Sequence, residues 1–187
     1  MKGKIGKLGK VNYKLFGEKF VENNKDNIEL IINGKKCELL YNYELEYFEN
    51  KIQIIIKNKI TNLENMFLGC EYLKKIEALK YLDTKEINNF SYMFDGCKSL
   101  SDIKPLQNWN VSNGNNFSYM FYECKSLSDI EPLQNWNVSN GNNFSYMFYK
   151  CEFLSDLKPL ENWNVSNGNN FSYMFSKCGS LSDIKPL

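Results

Sequence analysis

Five cysteines recur at a fixed interval of 27 residues, a spacing that could bring thiol groups next to one another. Thiolates bind zinc or form disulfides, but a zinc site usually needs CxxC pairs or histidines, and this sequence has neither. Side chains that stack in parallel also do not point at one another as a disulfide requires. We therefore expect free, buried thiols, and no metal or other cofactor. The five are Cys70, Cys97, Cys124, Cys151 and Cys178.

A second column consists of aspartates that each follow a serine, namely Asp102, Asp129, Asp156 and Asp183. Carboxylates in a column could bind a cation, but calcium needs more oxygen ligands than one acid in each repeat. Acid–base catalysis needs two groups in different environments, whereas a column provides identical ones. We interpret these residues as turn caps, with partner recognition and metal binding as alternatives. Because no histidine is present to activate Ser or Cys, we expect no enzymatic activity.

Both columns belong to a 27-residue repeat that occupies residues 88–187, with a diverged copy at 61–87. Apolar residues between Phe90 and Cys97 lie at i, i+3, i+4 and i+7, which predicts one face of a short helix. An extended stretch should follow, and Pro105 should mark a corner. Equivalent residues of successive copies should form columns, with asparagines satisfying the turns. The expected core columns are Phe90, Phe117, Phe144 and Phe171, and Trp109, Trp136 and Trp163.

Residues 1–60 predict a β-rich amino-terminal cap behind a basic tail at 1–10, which we expect to be disordered. Val11–Leu15 alternates apolar and polar residues, as a half-buried strand does. Asn33-Gly34 separates Ile28–Ile32 from an alternating run at 37–45, which is the strongest short signal for a hairpin with a type I′ turn. Ile52–Lys57 completes a small antiparallel unit. The cap should cover the first of the repeats at 61–187.

The repeat core F-x-x-M-F-x-x-C-x-S-L-x-x-I, followed by W-N-V-S-N, resembles the BspA-like leucine-rich repeats, especially those of tandem surface proteins. The resemblance covers residues 61–187 and implies an α+β solenoid, with a short strand and a short helix in each coil, that serves in protein contacts or adhesion. One position departs from the family, since Gly114, Gly141 and Gly168 stand where a valine is usual. Their presence indicates either looser packing or a closer approach of the backbone.

Positions that differ between near-identical copies indicate side chains that stacking does not constrain. Exposed aromatic residues bordered by charges are typical of protein interfaces, although drift at unconstrained sites would leave the same pattern. We select the aromatic and charged members of these positions as candidate protein-binding residues. They are Tyr122, Glu123, Tyr149, Lys150, Phe153, Glu131 and Lys158.

The sequence therefore predicts a non-enzymatic protein-binding or scaffolding module, with a cell-surface adhesin as the alternative. A formal net charge of +1 disfavours nucleic acid as the partner. No secretory signal or membrane-spanning run is visible, so we expect a cytoplasmic protein, or a surface protein in the alternative. The last copy, around Phe171, Met174 and Phe175, predicts end-to-end self-association through an uncovered apolar face.

Overall fold

A computed structural model of the protein describes residues 11–45 and 50–182. Two small antiparallel sheets and one α-helix precede the repeats. The two-stranded sheet pairs β1 with β4, and the three-stranded sheet has the order β3-β2-β5. The elements are β1 (Val11–Lys14), α1 (Glu18–Asn24), β2 (Ile28–Ile32), β3 (Lys35–Cys37), β4 (Asn42–Leu45) and β5 (Ile52–Ile56). The tail predicted at 1–10 lies outside the described residues.

The hairpin predicted at Asn33-Gly34 is confirmed. Asn33 and Gly34 have φ values of 51° and 78°, the positive values that a type I′ turn requires, and β2 pairs with β3 around them. The run at 37–45 is two strands instead of one, because the Leu40 N–H donates to the Tyr43 hydroxyl and that hydroxyl donates to the Glu38 carbonyl. The chain turns there, so β4 leaves the hairpin and pairs with β1.

Helix α1 was not predicted from the sequence, and the helix and the two residues before it contact the first repeat. Phe20 and Val21 of the helix are buried, and the Phe16 ring stacks on Phe67 of the first repeat at 5.9 Å between centroids. The Gly17 N–H donates to the Met66 carbonyl at 3.0 Å. No helix of the described residues is long and apolar enough to span a membrane.

The predicted fold class, a leucine-rich-repeat-like solenoid with a strand and a helix in each coil, is wrong. In the described residues the repeats contain no α-helix and no strand. They consist of turns, isolated parallel bridges from Asn62 through to Asn170, and short 3-10 helices. The chain is therefore mostly turns and irregular segments beside two small open sheets. The 3-10 helices are Glu77–Tyr81, Lys104–Leu106, Glu131–Leu133 and Lys158–Leu160.

The segment from Phe90 to Cys97, predicted as a helix, does not form one. Its N–H groups donate alternately to the next repeat and to nearby groups of the same repeat. The N–H groups of Phe90, Tyr92, Phe94 and Gly96 donate to carbonyls of the next repeat at 2.8–3.0 Å. The N–H groups of Met93 and Asp95 close turns with the carbonyl three positions earlier, both at 3.3 Å. The N–H group of Ser91 donates to Asn89 Oδ1 at 3.0 Å. An α-helix would need all of them for bonds four residues apart. Turns thus bury the same apolar positions that a helix face would.

Stacked rings form the core between successive repeats, as the sequence predicted. Phe90 stacks on Phe117 at 5.2 Å, and Trp109 stacks on Trp136 at 6.3 Å. The inward glycines allow close approach of the backbone: a Cβ on Gly141 would lie 2.3 Å from Cζ of Phe144. Of the two interpretations left open by the sequence, the structure therefore supports tight packing.

Candidate functional site

A continuous group of tyrosine rings lies outside the core on the repeats, and we call it the tyrosine surface. Its first row stacks face to face from copy to copy, with centroids 4.5 Å apart for the first pair, 4.6 Å for the second and 4.9 Å for the third. Its second row is the pair Tyr122 and Tyr149, stacked at 4.9 Å. Tilted contacts of 5.4 Å and 5.5 Å join the two rows. The first row is Tyr92, Tyr119, Tyr146 and Tyr173.

The backbone holds the first row in a conformation that tyrosine disfavours. Tyr92, Tyr119, Tyr146 and Tyr173 have φ values of 57–59°, in the left-handed region. That region costs an L-residue about 1–2 kcal/mol, whereas an aromatic pair contributes about 0.5–1.5 kcal/mol beyond its burial. The two magnitudes are similar, so ring stacking offsets part of the cost, and the hydrogen bonds between repeats also favour this arrangement. The four copies from residue 88 onward keep a large aromatic ring at this position, whereas the diverged first copy has Asn65 there, with a φ of 62° and less strain.

Four of the predicted binding residues come together beside this row: Tyr122, Glu123, Tyr149 and Lys150. Lys150 Nζ lies 2.5 Å from Glu123 Oε1 and 5.6 Å from the centroid of the Tyr149 ring. The hydrogen bond that Lys150 donates to Glu123 lowers the pKa of the Glu123 carboxyl and raises the pKa of Lys150. The pair is partly exposed to solvent, so it contributes little to the stability of the fold.

The other three predicted residues lie apart from the tyrosine surface. Glu131 and Lys158 line a shallow polar groove at the 3-10 corners, together with Asp129 and Asp156. Phe153 is 62% exposed and forms no ring contact within the described part of the chain. The equivalent residue of the preceding copy is Ser126. Its N–H and its hydroxyl both donate hydrogen bonds to the carbonyl of Lys98, in the copy before it. The structure thus divides the predicted set into one cluster and two separate locations.

The variable positions did not point to the first tyrosine row, because it is identical in all four copies. Each tyrosine of this row lies between a serine and a methionine, as in Ser91-Tyr92-Met93. Both of these neighbours are buried in the structure, and the tyrosine between them points away from the core. Asp95 was also missed as a member of this region. Burial, and then the nearby Glu123 carboxylate, raises the pKa of Asp95 to about 7, while Lys14 acts in the opposite direction.

The cysteine column is structural in the described residues. Its thiols are free and buried, and Cys124 Sγ lies 3.2 Å from the Phe94 carbonyl oxygen, to which it donates. Burial raises the pKa of Cys124 well above its ordinary value, which keeps it protonated. No group of three potential metal ligands occurs among the residues that the structure describes.

The aspartate column caps turns, as predicted. The Glu131 N–H donates to Asp129 Oδ1 at 2.8 Å, and equivalent bonds link Lys104 to Asp102 and Lys158 to Asp156. Asp183, the fourth predicted member, lies outside the described residues. A carboxylate that accepts a backbone N–H two residues on stabilises the turn locally, and this accounts for the three described members without a ligand.

A family model described as "Mycoplasma protein of unknown function, DUF285" matches residues 38–157 and 130–185 of the chain. These matches include all six residues of the tyrosine surface and the repeats around it. No curated protein and no solved structure matches the chain.

Proposed function

The chain belongs to the family described as Mycoplasma protein of unknown function, DUF285, and from its surface we propose that it is a non-enzymatic protein-binding or scaffolding module. The observation that carries the proposal is the tyrosine surface: six stacked tyrosines that lie outside the core, four of them in a strained backbone conformation. Tyrosine supplies large contact area at a low cost in side-chain entropy and is enriched at the energetic centres of protein interfaces.

Stacking prepares this surface for binding. Because each ring is already held by its neighbours at 4.5–4.9 Å, little rotamer freedom remains to be lost when a partner binds. Stacking also covers the ring faces between successive copies. The row therefore presents ring edges and hydroxyl groups, which suit apolar side chains and polar backbone groups of a polypeptide.

Charge supports a protein partner over nucleic acid. Neighbouring repeats pair their charges, as Lys98 does with Glu71 at 2.6 Å and Lys125 with Glu152 at 2.7 Å. No strongly basic strip follows the tyrosine surface in the described residues, whereas binding to nucleic acid depends on clustered cationic side chains.

The resemblance of the repeat motif to BspA-like proteins supports the same proposal, because that family serves in protein contacts or adhesion. An adhesin at the cell surface is the second candidate. Surface labelling of intact cells distinguishes the two, since only an adhesin exposes these tyrosines outside the cell.

The test compares captured partners of the wild type and of Tyr119→Asn/Tyr146→Asn. Asparagine tolerates the left-handed backbone, so the variant removes two rings with little added strain. The matched control is Glu131→Gln/Lys158→Gln, which changes the separate polar groove. We expect a partner that crosslinks to the tyrosine surface to be retained by wild type and control, and to be lost from the tyrosine variant at an unchanged melting temperature. Equal recovery by all three proteins would refute the proposal.

A further inference from the structure

The hydroxyl groups of the tyrosine surface are open hydrogen-bond donors. None of the six has a hydrogen-bond partner within residues 11–45 and 50–182. No buried side-chain oxygen in the described part of the chain lacks a partner, so these unpaired hydroxyls must reach solvent. Partial burial raises the pKa of Tyr92, Tyr119 and Tyr122, which keeps their hydroxyls protonated. The surface therefore offers donors to a partner that brings acceptors.

The backbone of the first row is already occupied. The N–H groups of Tyr92, Tyr119 and Tyr146 donate to carbonyls of the next copy at 2.9–3.0 Å. The carbonyls of the same three residues accept from N–H groups three positions ahead at 3.1–3.3 Å. A polypeptide that adds a strand to a sheet needs free backbone groups at the edge it joins. A partner at this row therefore gains its hydrogen bonds from the side-chain hydroxyls.

The spacing of the rings favours one backbone conformation of the partner. Successive rings at 4.5 Å and 4.6 Å place Tyr146 about 9 Å from Tyr92 along the row. Three residues of a polyproline II helix, which rises about 3.1 Å per residue, also span about 9 Å. Side chains on one face of an extended strand recur about every 6.7 Å, and turns of an α-helix about every 5.4 Å. Neither of these repeats matches one ring spacing or two, so the polyproline II helix fits the row best.

We propose that the tyrosine surface binds a proline-rich segment in the polyproline II conformation. The proposal rests on the protein-binding function proposed above and names the class of partner. A polyproline II helix has no internal hydrogen bonds, so its carbonyls are free to accept from the tyrosine hydroxyls. Proline also has no N–H group that would be left without an acceptor. Aromatic surfaces commonly receive such segments, because the helix is already formed before it binds and loses little entropy.

The length of the row sets the length of the segment that it can hold. Three ring spacings of 4.5 Å, 4.6 Å and 4.9 Å make the row about 14 Å long. About five residues of a polyproline II helix cover that length. Binding should therefore strengthen from triproline to hexaproline and change little from hexaproline to nonaproline.

The test titrates fluorescein-labelled hexaproline with the 187-residue protein and follows the anisotropy. We expect saturable binding that a labelled Gly-Ser hexapeptide lacks. Tyr119→Asn/Tyr146→Asn should weaken binding at least about tenfold, and the control Glu131→Gln/Lys158→Gln should leave it unchanged. Tyr119→Phe/Tyr146→Phe keeps the rings and removes only two hydroxyls, so it should weaken binding about three- to tenfold.

The outcomes separate this inference from the function on which it rests. If hexaproline does not bind but the captured partner is still lost from Tyr119→Asn/Tyr146→Asn, the surface binds a protein in another conformation and only the inference is overturned. Equal recovery of partners by wild type, control and the Asn variant overturns the proposed function as well. Equally tight binding of the Gly-Ser peptide, continued gain beyond six prolines, or unchanged binding by Tyr119→Phe/Tyr146→Phe would each overturn the inference.

Discussion

Replacement of Gly141 by alanine tests whether the repeats pack as tightly as the structure shows. The added Cβ would lie 2.3 Å from Cζ of Phe144 and 2.9 Å from the Val138 carbonyl oxygen. Ordinary contact begins near 3.4 Å, so the ring would have to move by about 1 Å. It has little room to do so, because Phe144 lies between Phe117 at 5.4 Å and Phe171 at 5.3 Å.

The expected cost follows from this confinement. Overpacking of a filled core destabilises by about 1–3 kcal/mol. For a chain of this size, 1 kcal/mol corresponds to about 2–4 °C in melting temperature, so Gly141→Ala should melt about 2–12 °C lower than wild type. Gly179→Ala is the matched control: its Cβ would meet only the Glu152 carbonyl oxygen, at 3.9 Å. We expect that control to melt within about 2 °C of wild type or slightly higher, since alanine restricts the unfolded chain.

Urea and thermal unfolding, followed by circular dichroism, measure both variants. A double-mutant cycle with Phe144→Leu then identifies the atoms in conflict. Phe144→Leu alone should destabilise by leaving a cavity. It should also relieve part of the cost of Gly141→Ala, with a coupling of about 0.5–3 kcal/mol. Equal melting of Gly141→Ala and Gly179→Ala, or strict additivity in the cycle, would refute the close packing.

Two further predictions follow from titratable groups. The raised pKa of Asp95 means that the folded state holds its proton more tightly than the unfolded state does, so this residue should lower stability as pH rises from about 4 to about 7. Asp95→Asn should remove this dependence of stability on pH, whereas Lys14→Gln should strengthen it, because Lys14 favours the ionised form of Asp95. Thermal unfolding from pH 4 to pH 8 measures both variants. An unchanged pH dependence in Asp95→Asn would contradict the raised pKa of Asp95. With a thiol reagent, only the half-buried Cys37 should react rapidly in the native protein. Cys70 is buried and its pKa is raised to about 12, and the other cysteines of the repeats are buried too. Rapid reaction of all six thiols would contradict this burial.

Local features were predictable because short-range physical chemistry decides them. The hairpin at Asn33-Gly34 follows from the positive φ that its turn needs, and the aspartate caps follow from a side chain that reaches an N–H two residues ahead. Ring columns followed from the 27-residue period itself. The division of 37–45 into two strands was not predicted, because it depends on bonds of the Tyr43 hydroxyl and on the pairing of β4 with β1. The helix at Glu18–Asn24 was not predicted either, and the residues just before it are held by contacts with the distant Met66 and Phe67.

The sequence alone determined the period of the repeat and the apolar positions that face the core. It also contains no histidine and no CxxC pair, on which common catalytic and zinc sites depend. Tertiary structure decided how each repeat buries those positions. The spacing from Phe90 to Cys97 fits a helix face and a series of turns equally well, because both place the same side chains inward. Bonds from alternate N–H groups to the next repeat select the turns. The same bonds are made by the N–H groups of Tyr92, Tyr119 and Tyr146, which lie in the left-handed region, and the tyrosine surface that results is one that no single repeat could form.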